Sequence, residues 1–159
     1  MNEEEKQKII QRLSRICMRG EKCEQDIKKK LVNWKVPGQD HNDIIDFLKK
    51  EDFIDHSRYS NAFVNDKIKF YHWGRQKIRA YLKNKEIEEE NIEASLNKIS
   101  QKFYDETLKK ELAKKKEKLP ELPDRETKRR LVNYLVQKGF EYGKVFEIVE
   151  SEMKNDNAN

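Results

Sequence analysis

Ile78, Leu82, Ile87, Ile92 and Leu96 follow one another at intervals of 4, 5, 5 and 4 residues, and Leu131, Leu135, Phe140, Val145 and Val149 repeat those intervals. One apolar pair four residues apart is common in any helical protein. Five matched positions that run through the turn between two helices mark a repeat. A looser copy lies earlier: Ile27, Leu31 and Val36 keep the first two intervals, and Ile44 and Leu48 keep the last after an insertion around Pro37-Gly38-Gln39. The copies begin 51 and 53 residues apart, which predicts three tandem units.

Each unit resolves into three amphipathic helices, with apolar residues three or four apart and a charged remainder. First helices are expected over 3–19, 56–71 and 100–118, second helices over 23–34, 74–85 and 125–138, and third helices over 41–50, 88–99 and 142–153. Asp55 and Asp124 stand where they would cap helices beginning at His56 and Arg125. Gly139 follows Lys138 where a left-handed residue ends a helix, with Phe140 placed for the accompanying apolar contact. Pro120 and Pro123 mark a helix break. The expected fold is all-α: three three-helix repeats over 1–54, 55–99 and 100–153, stacked as an elongated, curved array, with a disordered tail at 154–159. Residues 51–64, EDFIDHSRYSNAFV, then read as a junction. Phe53 and Ile54 close one unit, Asp55 caps the next helix, and Tyr59, Phe63 and Phe70 form that helix's buried stripe.

Composition supports helices over a single deep core. Charged residues make up 41% and hydrophobic ones 35%, with only five Gly and three Pro. The formal net charge of +5 suits an acidic partner without requiring one. Cys17 and Cys23 carry no oxidising-compartment pattern, MNEEEKQK is no signal peptide, and no apolar run reaches the ~20 residues of a membrane helix. A monomer in the cytoplasm, away from membranes, is the expectation. Asp55, His56 and Ser57 are consecutive, so on a helix they point about 100° apart and cannot converge as a triad. His41, His56 and His72 are too scattered for a metal site, and no Gly-rich phosphate loop is present. No catalysis, metal or cofactor is expected.

Charge patterning carries the functional signal. Residues 66–85 hold Lys67, Lys69, Arg75, Lys77, Arg79, Lys83 and Lys85 against a single acid, Asp66. Helical spacing puts Arg75, Arg79 and Lys83 on one edge, with Phe70, Tyr71 and Trp73 beside it. Basic groups follow a phosphate backbone, and aromatic rings offer stacking faces to unpaired bases. The plainer alternative is a solvated helical face with Phe70 and Trp73 in the core. Lys28, Lys29 and Lys30 occupy the corresponding helix of the first unit, and Lys128, Arg129 and Arg130 that of the third. Together they predict a discontinuous basic stripe facing one extended partner.

The segments FIDHSRYSNAFV, WGRQKIRAYLKNKEI and KRRLVNYLVQKGFEYGKVFEIV, in that order, resemble the RecX family of bacterial regulators of the RecA recombinase, and the likeness spans nearly the whole chain. It implies a non-enzymatic protein in the groove of the helical RecA–DNA filament. There it would contact neighbouring protomers and dampen filament growth, strand exchange and stimulated repressor cleavage. Glu86 departs from the glycine usual in the family at that turn, and FIDHS is less acidic than the usual form. The expected contact residues are Arg75, Lys77, Arg79 and Lys83 first, then Arg58, Lys67, Lys69, Trp73, Lys128, Arg129 and Arg130. The expected partners are the RecA filament and, more weakly and with salt dependence, single- or double-stranded DNA. Two alternatives stand beside this. One is a DNA-binding protein independent of RecA, with a helix–turn–helix-like pair over 74–99, although Glu88, Glu89 and Glu90 at its third helix are poorly suited to phosphates. The other is a helical scaffold for a different acidic protein.

Overall fold

A computed structural model describes residues 1–158, which are helical and contain no strand. The helices are α1 (Glu3–Arg19), α2 (Glu24–Asn33), α3 (His41–Lys50), α4 (His56–Lys69), α5 (Arg75–Asn84), α6 (Glu89–Asn97), α7 (Gln101–Lys118), α8 (Asp124–Gln137) and α9 (Tyr142–Ala158). All fifteen positions of the interval pattern are buried. They divide among three cores that follow one another along the chain. Ile10, Leu13 and Cys17 of α1 join the first core, Tyr59, Val64 and Ile68 of α4 the second, and Tyr104, Leu108 and Leu112 of α7 the third.

The five-residue interval has a local cause. Lys35, Glu86 and Gly139 adopt left-handed backbone with φ of 56°, 59° and 103°. Their N–H groups donate to the carbonyls of Val32, Lys83 and Val136, and the next residue donates to Leu31, Leu82 and Leu135 at 3.0–3.1 Å. This is the Schellman arrangement, in which the residue after the left-handed one packs on the helix's third-last residue. Leu31–Val36, Leu82–Ile87 and Leu135–Phe140 are those packed pairs, so the interval of five is the turn itself. Only the third unit places glycine at the left-handed position. Lys35 and Glu86 hold it with a Cβ, at a cost of about 1 kcal/mol each.

Four expectations change. Phe70 lies outside the buried stripe: α4 buries Tyr59 and Ser60, then Val64 and Ile68, and Phe70 follows two residues later on the far side. Its ring is 78% exposed. Asp124 is inside α8, because the Pro123 carbonyl already accepts from Glu126 and Thr127 and starts the helix one residue earlier. Asp55 does cap α4, accepting from the Arg58 N–H at 2.9 Å. The last helix runs past 153 to Ala158, with Lys116 of α7 pairing with Glu152 and Asp156; Asn159, the end of the expected tail, lies outside the described residues. Phe63 is half-buried rather than central, stacked on Tyr81 with centroids 4.6 Å apart.

The two joints between units are built differently. At the second, the start of α5 docks on the α8–α9 turn through backbone: Gly74 N–H donates to Lys138 O at 2.8 Å, and Gln76 N–H to Gly139 O at 2.9 Å. A Cβ at Gly74 would stand 2.2 Å from the Gly139 carbonyl carbon, and one at Gly139 would stand 2.4 Å from Lys77 Cβ. Both glycines are therefore required by the approach. At the first joint Cys23 enters the second core, but the hydrogen bonds involve side chains: Glu24 N–H to His56 Nε2, Arg58 to Glu21 and Lys85 to Asp26. A groove of about 840 Å³ remains there, floored by Tyr59, Phe63 and Tyr81.

Two substitutions probe these turns. Glu86→Gly relieves the left-handed strain and is expected to stabilise by about 1 kcal/mol, raising Tm by roughly 2–4 °C in a thermal melt. Gly74→Ala is expected to cost about 3 kcal/mol or more by forcing the second and third units apart, read as a lower urea midpoint.

Candidate binding surface

The eleven candidate residues separate into those that hold the molecule together and those left facing solvent. Arg58 belongs to the first group. From the first turn of α4 it donates to Glu21 Oε1 at 2.9 Å and to the Asp52 carbonyl at 2.7 Å, clamping the first unit to the second. Arg75 does the same at the second joint. Its guanidinium lies 3.8 Å from the centre of the buried Tyr104 ring and donates to Glu141 and Gln101, each at 3.3 Å. The Tyr104 hydroxyl accepts from the Arg75 N–H at 3.0 Å and donates to Glu141. Arg79 forks onto Glu93 of α6 with distances of 2.6 and 3.2 Å, and this bonding holds the Glu93 carboxyl below its ordinary range. The edge expected from Arg75, Arg79 and Lys83 is thus broken: its two arginines are engaged within the protein.

The third unit's candidate cations are engaged too. Lys128 pairs with Glu150 and sits over the Phe146 ring. Arg129 and Arg130 both bind Glu126, whose carboxyl is pulled down to about 2 by those hydrogen bonds. The equivalent lysines on α2, Lys28, Lys29 and Lys30, make no ion pair among the described residues, so the predicted stripe is uneven from unit to unit.

What remains on the middle unit is an aromatic–cation cluster around the α4–α5 turn. Trp73 packs on the second core, edge-on to Phe63 and Tyr81 with centroids 6.1 Å away in each case. Lys77 stands 4.3 Å from its ring centre and Lys67 5.0 Å. Lys67 also lies 4.1 Å from the Tyr71 ring centre. Each such contact contributes on the order of 0.5–1 kcal/mol near solvent. Lys69, Lys77 and Lys83 are exposed and make no ion pair among the described residues. The start of α6 is the opposite in sign: Glu88, Glu89 and Glu90 are exposed there together.

Three residues acquire roles that no spacing argument assigned. His72 takes the left-handed conformation, φ 54°, and its Nδ1–H donates to Glu111 Oε1 at 2.7 Å. Glu111 is buried in α7 and also accepts from the Tyr134 hydroxyl at 3.0 Å. Burial pushes its carboxyl up, but hydrogen bonds from His72 and Tyr134 and the Lys138 charge bring it below its usual value. Burial and Glu111 raise the Tyr134 hydroxyl to about 12. His56 accepts from Glu24 N–H through Nε2 while Nδ1–H faces Glu88 at 3.0 Å, so one ring meets three helix starts. A helical sequence pattern marks Glu111 as one more charge in a lysine-rich stretch. Its partners come from His72 of the second unit and Tyr134 of α8, which the sequence places 39 and 23 residues away.

The fold and this surface define an all-α array of three-helix units with an exposed aromatic turn and, among the described residues, lysines outside any ion pair. Residues 55–96 match the family model of the RecX second three-helix domain, and residues 104–149 that of the RecX third three-helix domain. Similar proteins include the regulatory protein RecX of Clostridium botulinum (strain Eklund 17B / Type B), 32% identical over 137 residues covering 83% of this chain and 62% of the relative. Another is the regulatory protein RecX of Clostridium acetobutylicum, 30% identical over 143 residues covering 86% of this chain and 64% of the relative. A crystal structure of regulatory protein RecX superimposes with a TM-score of 0.84 at 25% identity, covering 92% of this chain and 73% of the other. The fold is shared with RecX from Lactobacillus salivarius at a TM-score of 0.75 and 18% identity, covering 92% and 97%. The chain belongs to the RecX family of regulatory proteins. It spans a little under two thirds of the length of the clostridial relatives.

Glu111 makes the second joint acid-sensitive. A carboxyl held low in the folded state stabilises above its unfolded value, near 4.5, and that contribution is lost as pH falls through the lower folded value. Glu111→Gln is expected to lose about 2 kcal/mol at pH 7 and to show a shallower decline of stability from about pH 5 to pH 3, measured by urea unfolding across that range.

Proposed function

We propose that this protein regulates the RecA recombinase, acting without catalysis of its own by binding along the RecA–DNA filament and restraining it. The observation that carries this reading is the set of lysines left without ion pairs on the first two units, Lys28, Lys29 and Lys30 on α2 and Lys69, Lys77 and Lys83 around α5, on a chain whose family is one of regulators. Such cations suit acidic patches of a protein filament and the phosphates of the strand inside it, giving orientation and salt-sensitive affinity. Three units in series, over 1–54, 55–99 and 100–153, suit a partner that itself repeats. The consequences are reduced filament growth, strand exchange and repressor cleavage, and so a damped SOS response in the cytoplasm. The acidic start of α6 weighs against reading duplex DNA with that helix.

The test is single-strand-dependent ATP hydrolysis by the cognate RecA, with this protein titrated in at two salt concentrations and binding to bare DNA followed in parallel. Inhibition is expected at concentrations that leave bare DNA mostly unbound. The double variant Lys77→Glu, Lys83→Glu is expected to need about tenfold more protein for half-inhibition, with unchanged circular dichroism. Inhibition only where the DNA is already coated would replace this reading with competition for the strand.

A further inference from the structure

The most exposed large ring in the molecule is Phe70, at 78%, and Tyr71 beside it is 53% exposed. No other ring stacks on Phe70, whereas Trp73 is already taken up by the second core and two lysine ammoniums. The turn that carries these rings is fixed. Phe70 N–H donates to Asp66 O at 3.0 Å, Trp73 N–H to Lys67 O at 2.9 Å, and Lys138 Nζ reaches across the second joint to Tyr71 O at 2.6 Å. An apolar ring is thus held in water by a braced turn.

Its surroundings are cationic. Lys67 faces Tyr71, Lys69 precedes Phe70 in solvent, and Lys77 and Lys138 stand on the α5 and α8 sides. The acids close by are Asp66, 3.8 Å from Lys67, and Glu111, which is buried, engaged by His72 and Tyr134, and 3.9 Å from Lys138. Burial lowers the proton affinity of Lys138 despite the pull of Glu111, and the charges of Lys77 and Lys114 lower it further. An added anion would offset those charges.

We infer that the Phe70–Tyr71 turn is a binding site for single-stranded nucleic acid, with one base stacked on Phe70 and adjacent phosphates held by Lys67, Lys69, Lys77 and Lys138. A protein partner would require a contiguous apolar area around the ring, and here Tyr71 alone adjoins it, with Asp66, Lys67 and Lys69 the charged residues that precede it in the chain. An isolated flat ring among cations fits an unpaired base with its phosphates. A duplex keeps its base faces covered and offers only phosphates. The site adds to the proposed regulatory function without depending on it, because nucleic acid alone is the ligand.

The experiment is fluorescence anisotropy of a labelled 20-nucleotide oligothymidylate, and of a duplex of equal length, titrated with the full chain in the absence of RecA. Phe70→Ala is expected to weaken single-strand binding about 5- to 30-fold, with duplex binding changed less than twofold. Phe70→Trp is expected to restore it, and Phe70→Leu to fail, since bulk without a π-face does not stack. Lys69→Gln is expected to lower the slope of log affinity against log salt, which Phe70→Ala leaves unchanged. Phe70 touches no core, so circular dichroism and Tm of its variants should match the parent. Equal loss for strand and duplex, full activity of Phe70→Leu, or no measurable strand binding by the parent overturns the assignment. The ATP hydrolysis assay above is separate: inhibition retained by Phe70→Ala leaves the regulatory reading standing whatever the oligonucleotide shows.

Discussion

The contact between Gly74 and Gly139 sets the relation of the second and third units. Two backbones meet there with no room for a Cβ on either side, and the first amides of α5 find acceptors on the turn that ends α8. Those amides are the ones a helix start leaves unsatisfied, and those carbonyls the ones a helix end leaves free. One unit therefore completes the hydrogen bonding of the other. Everything near the junction follows from it: Arg75 is carried onto Tyr104 and Glu141, and His72 onto Glu111. A polar cluster of this kind tolerates burial because each member finds a partner in the unit opposite.

The first joint uses none of this. His56, Arg58 and the Lys85–Asp26 pair hold it through side chains, and a groove lies open between α2 and the aromatic face of α4 and α5. Side-chain contacts of partly exposed groups are individually weak and screened by salt. Among the second helices of the units, Lys28, Lys29 and Lys30 of α2 and Lys77 and Lys83 of α5 make no ion pair among the described residues, while Lys128, Arg129 and Arg130 of α8 are spent on Glu126 and Glu150.

Most of the fold was legible in the sequence because its rule is local. The interval of five is a Schellman turn, and a turn of that kind is written in six residues. Gly139 announces it, whereas the left-handed conformation of Lys35 and Glu86 at the matching positions is visible only in the backbone. The binding surface was less legible, for a reason that Arg75 and Phe70 illustrate. Spacing along one helix places Arg75, Arg79 and Lys83 together, but Arg75 is taken up by Gln101 and Glu141, 26 and 66 residues further on, and Arg79 by Glu93, 14 residues on in α6. Continuing the stripe of Tyr59 and Phe63 along α4 places Phe70 in the core. Its exposure depends on where α4 stops, and helix ends are the least certain feature of a sequence reading.

Separate cores joined at helix ends also bear on how such a chain changes length over evolutionary time. No residue of the first core belongs to the third, and the second joint needs only a free helix start on one side and an open turn on the other. Duplication or loss of one unit would leave most of the packing inside the remaining units intact, since Cys23 in the second core and Ile99 against the second and third are the apolar side chains that cross. The glycine pair at the second joint and the side-chain clamps at the first are then two solutions to the same splice.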